Sequence, residues 1–193
     1  MQPQPLMRPF KGKRPRVLGR CFIAENAALI GDVEVHPEAS VWYGVTLRAD
    51  GNAIRIGKRA NVQDGTVVHV DKPAHLRTTI GAGVTIGHAC IIHACAIHDD
   101  ALVGMGSTVL DGSVIESHSM LAAHSLLAPG KVIKSGEVWG GVPAKPWREI
   151  KPAELELIDH LRDSYWENAQ AFLADMDSSY LAEWTVSQTA ADD

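Results

Sequence analysis

Aliphatic residues recur along most of this chain at a spacing of six. The series runs Ile23, Leu29, Val35, Val41, Leu47, then Ile56, Val62, Val68, then Ile80, Ile86, Ile92. It closes with Ile97, Val103, Val109, Ile115, Leu121, Leu127 and Ile133. Four residues after an anchor the chain places a small or β-branched residue: Ala27, Val33, Ala39, Val45, Ala60, Thr66, Val84, Cys90, Ala96, Ala101, Ser107, Ser113, Ser119 and Ser125. Glycine often follows the anchor directly, as at Gly57, Gly81, Gly87 and Gly104, where a small residue or one tolerant of positive φ is called for. Period six fits neither an amphipathic helix nor a long alternating strand. It predicts short strands separated by turns and coiled into a parallel β-helix, with anchor and small residue both pointing inward.

The phase breaks three times. Three residues are added between Leu47 and Ile56, six are added between Val68 and Ile80, and one is lost between Ile92 and Ile97. Such breaks are expected where loops leave the stack, and loops carry function more often than the elements they join. Past Ile133 the Gly- and Pro-rich stretch GEVWGGVPAKPWREI reads as an exit from the solenoid. Pro152 suits a first helical position, and Leu155, Ile158, Leu161, Tyr165, Ala169, Phe172 and Met176 follow at helical spacing. The expected organisation is a β-helix domain with an N-terminal lead-in over 1–150, an α-helix over 151–177 packed along it, and a loosely ordered tail over 178–193.

Composition narrows the function without choosing it. The chain of 193 residues is long enough for one domain with a real core. A net charge of −5 gives no basic face for nucleic acid. No apolar run approaches the roughly 18 residues of a membrane span. The basic opening MQPQPLMRPFKGKRPR lacks the apolar core of a secretory signal, and Met7 offers an alternative start. Three cysteines without such a signal suggest reduced thiols and a cytoplasmic location.

The phase also serves as a coordinate. With three units per triangular coil of 18 residues, and the breaks treated as loops, Leu47, Val68 and Ile92 fall on one face. The residues just after them, Arg48, His69 and His93, then stack at one corner. Coils lie about 4.8 Å apart, a spacing at which two imidazoles can converge on one zinc. His88 falls on the preceding face, above Asp64, and points away from the pair. The three histidines meet most readily if His88 comes from another subunit of a threefold ring, and three histidines with an open fourth position are the pattern of catalytic zinc. His36, His75, His98, His118, His124 and His160 read as solvated turn residues. Cys90 takes an inward slot as a compact hydrophobe. Cys95 lies near a turn with no cationic neighbour to activate it, so a Cys/His zinc knuckle is not expected.

At these residues the chain resembles the gamma-class carbonic anhydrases of the hexapeptide-repeat superfamily, from about Arg8 to Lys151. The matching stretches are LIGDV (29–33), VWYGVTLRAD (41–50), IRIGKRANVQDGTVVHVD (54–71), TIGHACIIHACAI (85–97) and VGMGSTVLDG (103–112). The ordered set R-x-D, N-x-Q-D, H, G-H-x-x-x-x-H carries the likeness. The resemblance implies a mainly β fold, a left-handed triangular β-helix with a C-terminal α-helix, assembled as a homotrimer. It implies a Zn2+ site, with Fe2+ or Co2+ as alternatives, held between subunits by His69 and His93 of one chain and His88 of the next. It implies hydration of carbon dioxide to bicarbonate by a zinc-bound hydroxide, and it assigns Arg48, Asp50, Asn61, Gln63 and Asp64 to the site. In this scheme Arg48 pairs with a carboxylate across the interface and Gln63 hydrogen-bonds the metal-bound water.

The chain departs from the family's pattern in three places. Gly51 stands where active members can carry glutamate, Val142 stands where relatives commonly carry Asn, and the loop after His69 has no long acidic insertion. The histidine in that loop, His75, suits proton transfer by its titration range. Two other readings stand beside a gamma-carbonic-anhydrase-like lyase: an acyl-CoA-dependent acyltransferase on the same fold, and a catalytically weak metal-binding accessory protein.

Overall fold

The computed structural model describes residues 4–176 and 185–186. It is a mainly β solenoid of parallel coils followed by one long helix, as the repeat predicts. Anchors pair with anchors along each face. Ile23, Val41, Val62, Ile86, Val103, Leu121 and Trp139 form one ladder. Leu29, Leu47, Val68, Ile92, Val109 and Leu127 form the second. The third runs Val35, Ile56, Ile80, Ile97, Ile115, Ile133. All but the half-buried Trp139 are buried and fill the axis, so the core is a column of aliphatic layers, each touching only the coils beside it.

Between anchors the chain turns at a residue with positive φ, three places on: Gly44, Gly65, Gly83, Gly106, Gly112 and Gly130, but also Glu38, Arg59, Ala89, Asp100, His118 and His124. The glycines directly after the anchors have a different task, since positive φ is absent from them. The next coil passes so close that a Cβ on Gly87 would lie 2.6 Å from the backbone nitrogen of Met105, and one on Gly104 would lie 2.4 Å from that of Ala123.

All three phase breaks fall at the corner between the second and third faces, and they are not all loops. The strand Thr46–Ile56 runs through that corner without a turn, paired with Ala28–Val35. Its register shifts between Gly31↔Ala49 and Asp32↔Ala53, so the three added residues, Asp50, Gly51 and Asn52, form a bulge inside a continuous strand. The six-residue addition is a true loop after Val67–His69, with a short 3-10 turn at Ala74–Leu76. The lost residue tightens the turn after Ile92, where Ala94 takes φ +48°. That deletion moves the inward small-residue slot from Ala96 to Cys95, which is buried while Ala96 is half-buried.

The solenoid leaves through the hairpin Glu137–Gly141/Ala144–Glu149 and enters the helix Pro152–Asp175. At the helix start Glu154 accepts from the Lys151 backbone and from both terminal nitrogens of the Arg148 guanidinium, which holds its carboxyl down at about 2. The buried residues of the helix are Ile158, Trp166 and Ala169; of the rest of the expected stripe Tyr165 and Met176 pack on the core and Phe172 packs on Phe22 and Trp42, while Leu155 is exposed. Arg162 sits between Ile158 and Trp166 and donates to Asp100 on a solenoid turn (3.1 Å) and to Asp159 (2.8 Å). Arg162 thus ties the middle of the helix to the solenoid turn at Asp100. Of the 178–193 segment only Thr185–Val186 falls within the described residues, pairing with Val17–Leu18; the order expected of the rest lies outside them. No described helix is long and apolar enough to cross a membrane.

The layered core gives a direct test. Ile92→Ala should destabilise the protein by about 2–5 kcal/mol, read as a lower midpoint in chemical denaturation; an unchanged midpoint would contradict an axial position for this side chain.

Candidate metal centre

Arg48, His69 and His93 occupy one column, as paired residues of three successive coils. His69 Nδ1 lies 3.0 Å from His93 Nε2, with ring centroids 5.1 Å apart. The outer nitrogens of both rings meet carboxylates. His69 Nε2 donates to Asp50 Oδ1 (2.9 Å), and Asp50 is also paired with Arg48 of its own chain. The three-residue bulge is what carries Asp50 to this position. His93 Nδ1 donates to Asp111 Oδ1 at 2.5 Å, from the coil above. Burial pushes the Asp50 carboxyl up, but the hydrogen bonds from His69 and Arg48 outweigh it and leave it below the ordinary range.

These contacts fix the tautomers. A carboxylate can only accept, so each outer ring nitrogen carries the hydrogen. With both rings neutral, the inner nitrogens, His69 Nδ1 and His93 Nε2, face each other with lone pairs at 3.0 Å. Two opposed lone pairs at that distance repel unless a proton or a cation lies between them. The span suits one metal ion with bonds of about 2.0–2.1 Å to nitrogen. The donor set therefore fits the implied metal.

His88 occupies a different corner. Its Nδ1 donates to Asp64 Oδ2 (2.9 Å), and the Tyr165 hydroxyl donates toward its Nε2 at 3.4 Å. Tyr165 also packs edge-on against Trp42, so the packing role expected from its helical spacing is joined by a polar one. Among the described residues no three histidine, cysteine or carboxylate side chains of one chain group to hold a metal. Gln63 donates to Asn61 Oδ1 (3.0 Å), and Asn61 donates to Thr85 Oγ1 (2.8 Å); all three side chains are buried. This chain fixes the Gln63 carboxamide at the edge of a groove of about 380 Å³ between sheet and helix. His88, Met105, Leu157, Leu161 and Tyr165 also line that groove. His75 lies exposed on the loop that leaves the stack after His69.

The cysteines are withdrawn from any metal chemistry. All three are buried and free. Burial pushes the thiols of Cys21 and Cys95 up to about 12 and raises that of Cys90.

Two contacts of the site escape the sequence pattern, those of Asp111 and Tyr165. Asp111 lies in the stretch VLDG, one coil on from His93 but one residue past its paired position Leu110, so a strict column misses it. Tyr165 reaches His88 from 77 residues away, a distance that no local repeat encodes.

Searched against protein families, the chain matches no family model. It is 44% identical over 172 residues to the mitochondrial gamma carbonic anhydrase 2 of Arabidopsis thaliana, covering 87% of this chain and 62% of that protein. The chain thus spans about three fifths of the length of that relative. It is 40% identical over 166 residues to a carbonic anhydrase of Geobacillus kaustophilus, covering 86% of this chain and 90% of the relative. Among solved structures, a hexapeptide transferase family protein of Anaplasma phagocytophilum superposes with a TM-score of 0.83 at 44% identity, over 89% of this chain and 99% of that one.

The raised thiols make a pH prediction. Between the ordinary value of 9.0 and about 12, the unfolded chain ionises Cys21 and Cys95 while the folded chain keeps them protonated. Stability present below pH 9 should therefore fall as pH rises through this window, seen as a falling melting temperature. At pH 8 all three thiols should resist a disulfide reagent until denaturant is added.

Proposed function

The chain belongs to the gamma carbonic anhydrase family, and on that premise we propose that it is a metal-dependent lyase interconverting carbon dioxide and bicarbonate at sites shared between subunits of a homotrimer. The observation that carries the reading is the approach of His69 Nδ1 and His93 Nε2 to 3.0 Å, with a carboxylate against the other nitrogen of each ring. His69 and His93 of one chain and His88 of a neighbour would hold the ion, zinc by the nitrogen donor set, with iron or cobalt also compatible. When bound, such an ion supplies a hydroxide nucleophile at neutral pH and polarises the substrate oxygen.

The chain's own residues supply orientation. Asp50, itself held by Arg48, sets the His69 ring, and Asp64 sets the His88 ring so that its Nε2 is an acceptor, met in the single chain by the Tyr165 hydroxyl. Asn61 holds Gln63, whose carboxamide oxygen is then free to accept from a nucleophilic water at the groove edge. The groove beside His88 is lined largely by apolar side chains, a surface that suits a small apolar gas better than water. Proton release to solvent is assigned to His75, on the exposed loop next to the column.

An acyltransferase is the second reading, favoured by the hexapeptide transferase among the similar structures. Such an enzyme needs one general-base histidine and no metal. Calorimetry separates the two: tight acetyl-CoA binding by metal-free protein would favour the transferase.

His93→Ala should abolish both metal content, measured on anaerobically purified protein, and carbon dioxide hydration; full hydration by the metal-free variant would overturn the lyase reading. A complementation experiment tests the shared site. His88→Ala and His93→Ala chains are each inactive alone, but randomly mixed trimers should regain about a quarter of the sites, since one chain supplies His69 and His93 and the other His88. No recovery on mixing would place all three histidines within one chain's site.

A further inference from the structure

We infer that Asp111 is a positioning residue for His93: its carboxylate fixes the tautomer that leaves Nε2 free to bind the metal. The inference rests on the metal-site reading above and adds to it a residue absent from the R-x-D, N-x-Q-D and histidine set. Each of the three histidines has one ring nitrogen committed to a carboxylate from an adjacent coil: His69 to Asp50, His88 to Asp64, and His93 to Asp111. Asp50 and Asp64 come from the coil below their histidines, and Asp111 comes from the coil above. The three histidines are thus treated alike, and without Asp111 the set would be one carboxylate short.

The geometry makes the role specific. His93 has two faces, Nδ1 toward Asp111 and Nε2 toward His69 Nδ1. If Nδ1 lost its acceptor, the hydrogen could move to Nε2 and donate to His69 Nδ1. That internal hydrogen bond would satisfy both rings and compete with the ion for the same two lone pairs. Asp111 makes that arrangement unfavourable, because Nδ1 unprotonated would leave its lone pair facing an anion.

A purely structural role fits less well. The Asp111 backbone carbonyl accepts from Gly130 in the turn, a bond any residue would keep. Its side chain is about a third exposed (37%) and makes its ion pair with His93. Removing the carboxylate therefore leaves the aliphatic column and the turn intact.

The test compares Asp111→Ala and Asp111→Asn with the parent protein, using zinc affinity from chelator competition and ring-nitrogen NMR shifts of His93 in metal-free protein. Asp111→Ala should bind zinc 10- to 100-fold more weakly, with unchanged thermal stability when metal-free. Its His93 shifts should move toward the Nε2–H tautomer. Asp111→Asn, whose amide oxygen still accepts from Nδ1, should keep the tautomer and recover part of the affinity. Zinc affinity of the Ala variant within twofold of the parent, with the same tautomer, would overturn the inference while leaving the metal site standing. Failure of the parent protein itself to bind zinc, iron or cobalt would overturn the metal-site reading, and this inference with it.

Discussion

Everything in this molecule depends on one constraint, the in-register stacking of aliphatic anchors along the solenoid axis. Each anchor must lie on the anchor below, because a slip by one residue would turn a buried Ile or Leu outward along a whole edge. Once Leu47, Val68 and Ile92 are fixed in this way, the residues after them have no freedom of register. Arg48, His69 and His93 are brought together by the core and not by attraction to each other. The polar column is thus paid for by hydrophobic packing one residue away, which holds the two imidazoles nitrogen to nitrogen at 3.0 Å.

The tolerance of that arrangement explains the carboxylates. Two neutral imidazoles facing each other through unprotonated nitrogens are an unfavourable contact, which a proton or a cation between them relieves. The carboxylates hold hydrogens on the outer nitrogens, with Asp50 on one side and Asp111 on the other. The thiols follow the opposite logic. Cys90 and Cys95 sit within a few residues of the histidines, yet their burial in the core raises their pKa values and removes them as ligands.

Much of this is legible in the residue pattern, for a physical reason: a solenoid converts sequence phase into position in space. The column of Arg48, His69 and His93, the separate corner of His88 and its placement over Asp64 all follow from counting. What counting does not reveal depends on side-chain reach or on distant packing. Asp111 reaches His93 from one residue off the column. Tyr165 meets His88 from a helix that packs back on the sheet, with Arg162 donating to Asp100 and Tyr165 resting edge-on against Trp42. Cys95 takes the inward slot because a one-residue deletion is absorbed inside a turn, a local choice that the average repeat hides. The bulge at Asp50 to Asn52 reads as a loop from its length, since extra residues in a strand and in a loop leave the same mark on the period.

The three irregularities at one corner have a further meaning. Measured from anchor to anchor, successive coils consume 21, 24 and then 17 residues before settling back to 18, as in Leu47↔Val68 is followed by Val68↔Ile92, Ile92↔Val109 and Val109↔Leu127. The other two corners never vary, and the helix lies along the face they bound between them. The variable corner therefore works as an expansion joint: chain can be fed in or withdrawn there without disturbing the ladders on either side. In such a scaffold the reach of the groups around His69 is adjustable by length alone, and insertions and deletions, more than substitutions, become the natural currency for retuning the chemistry at that edge.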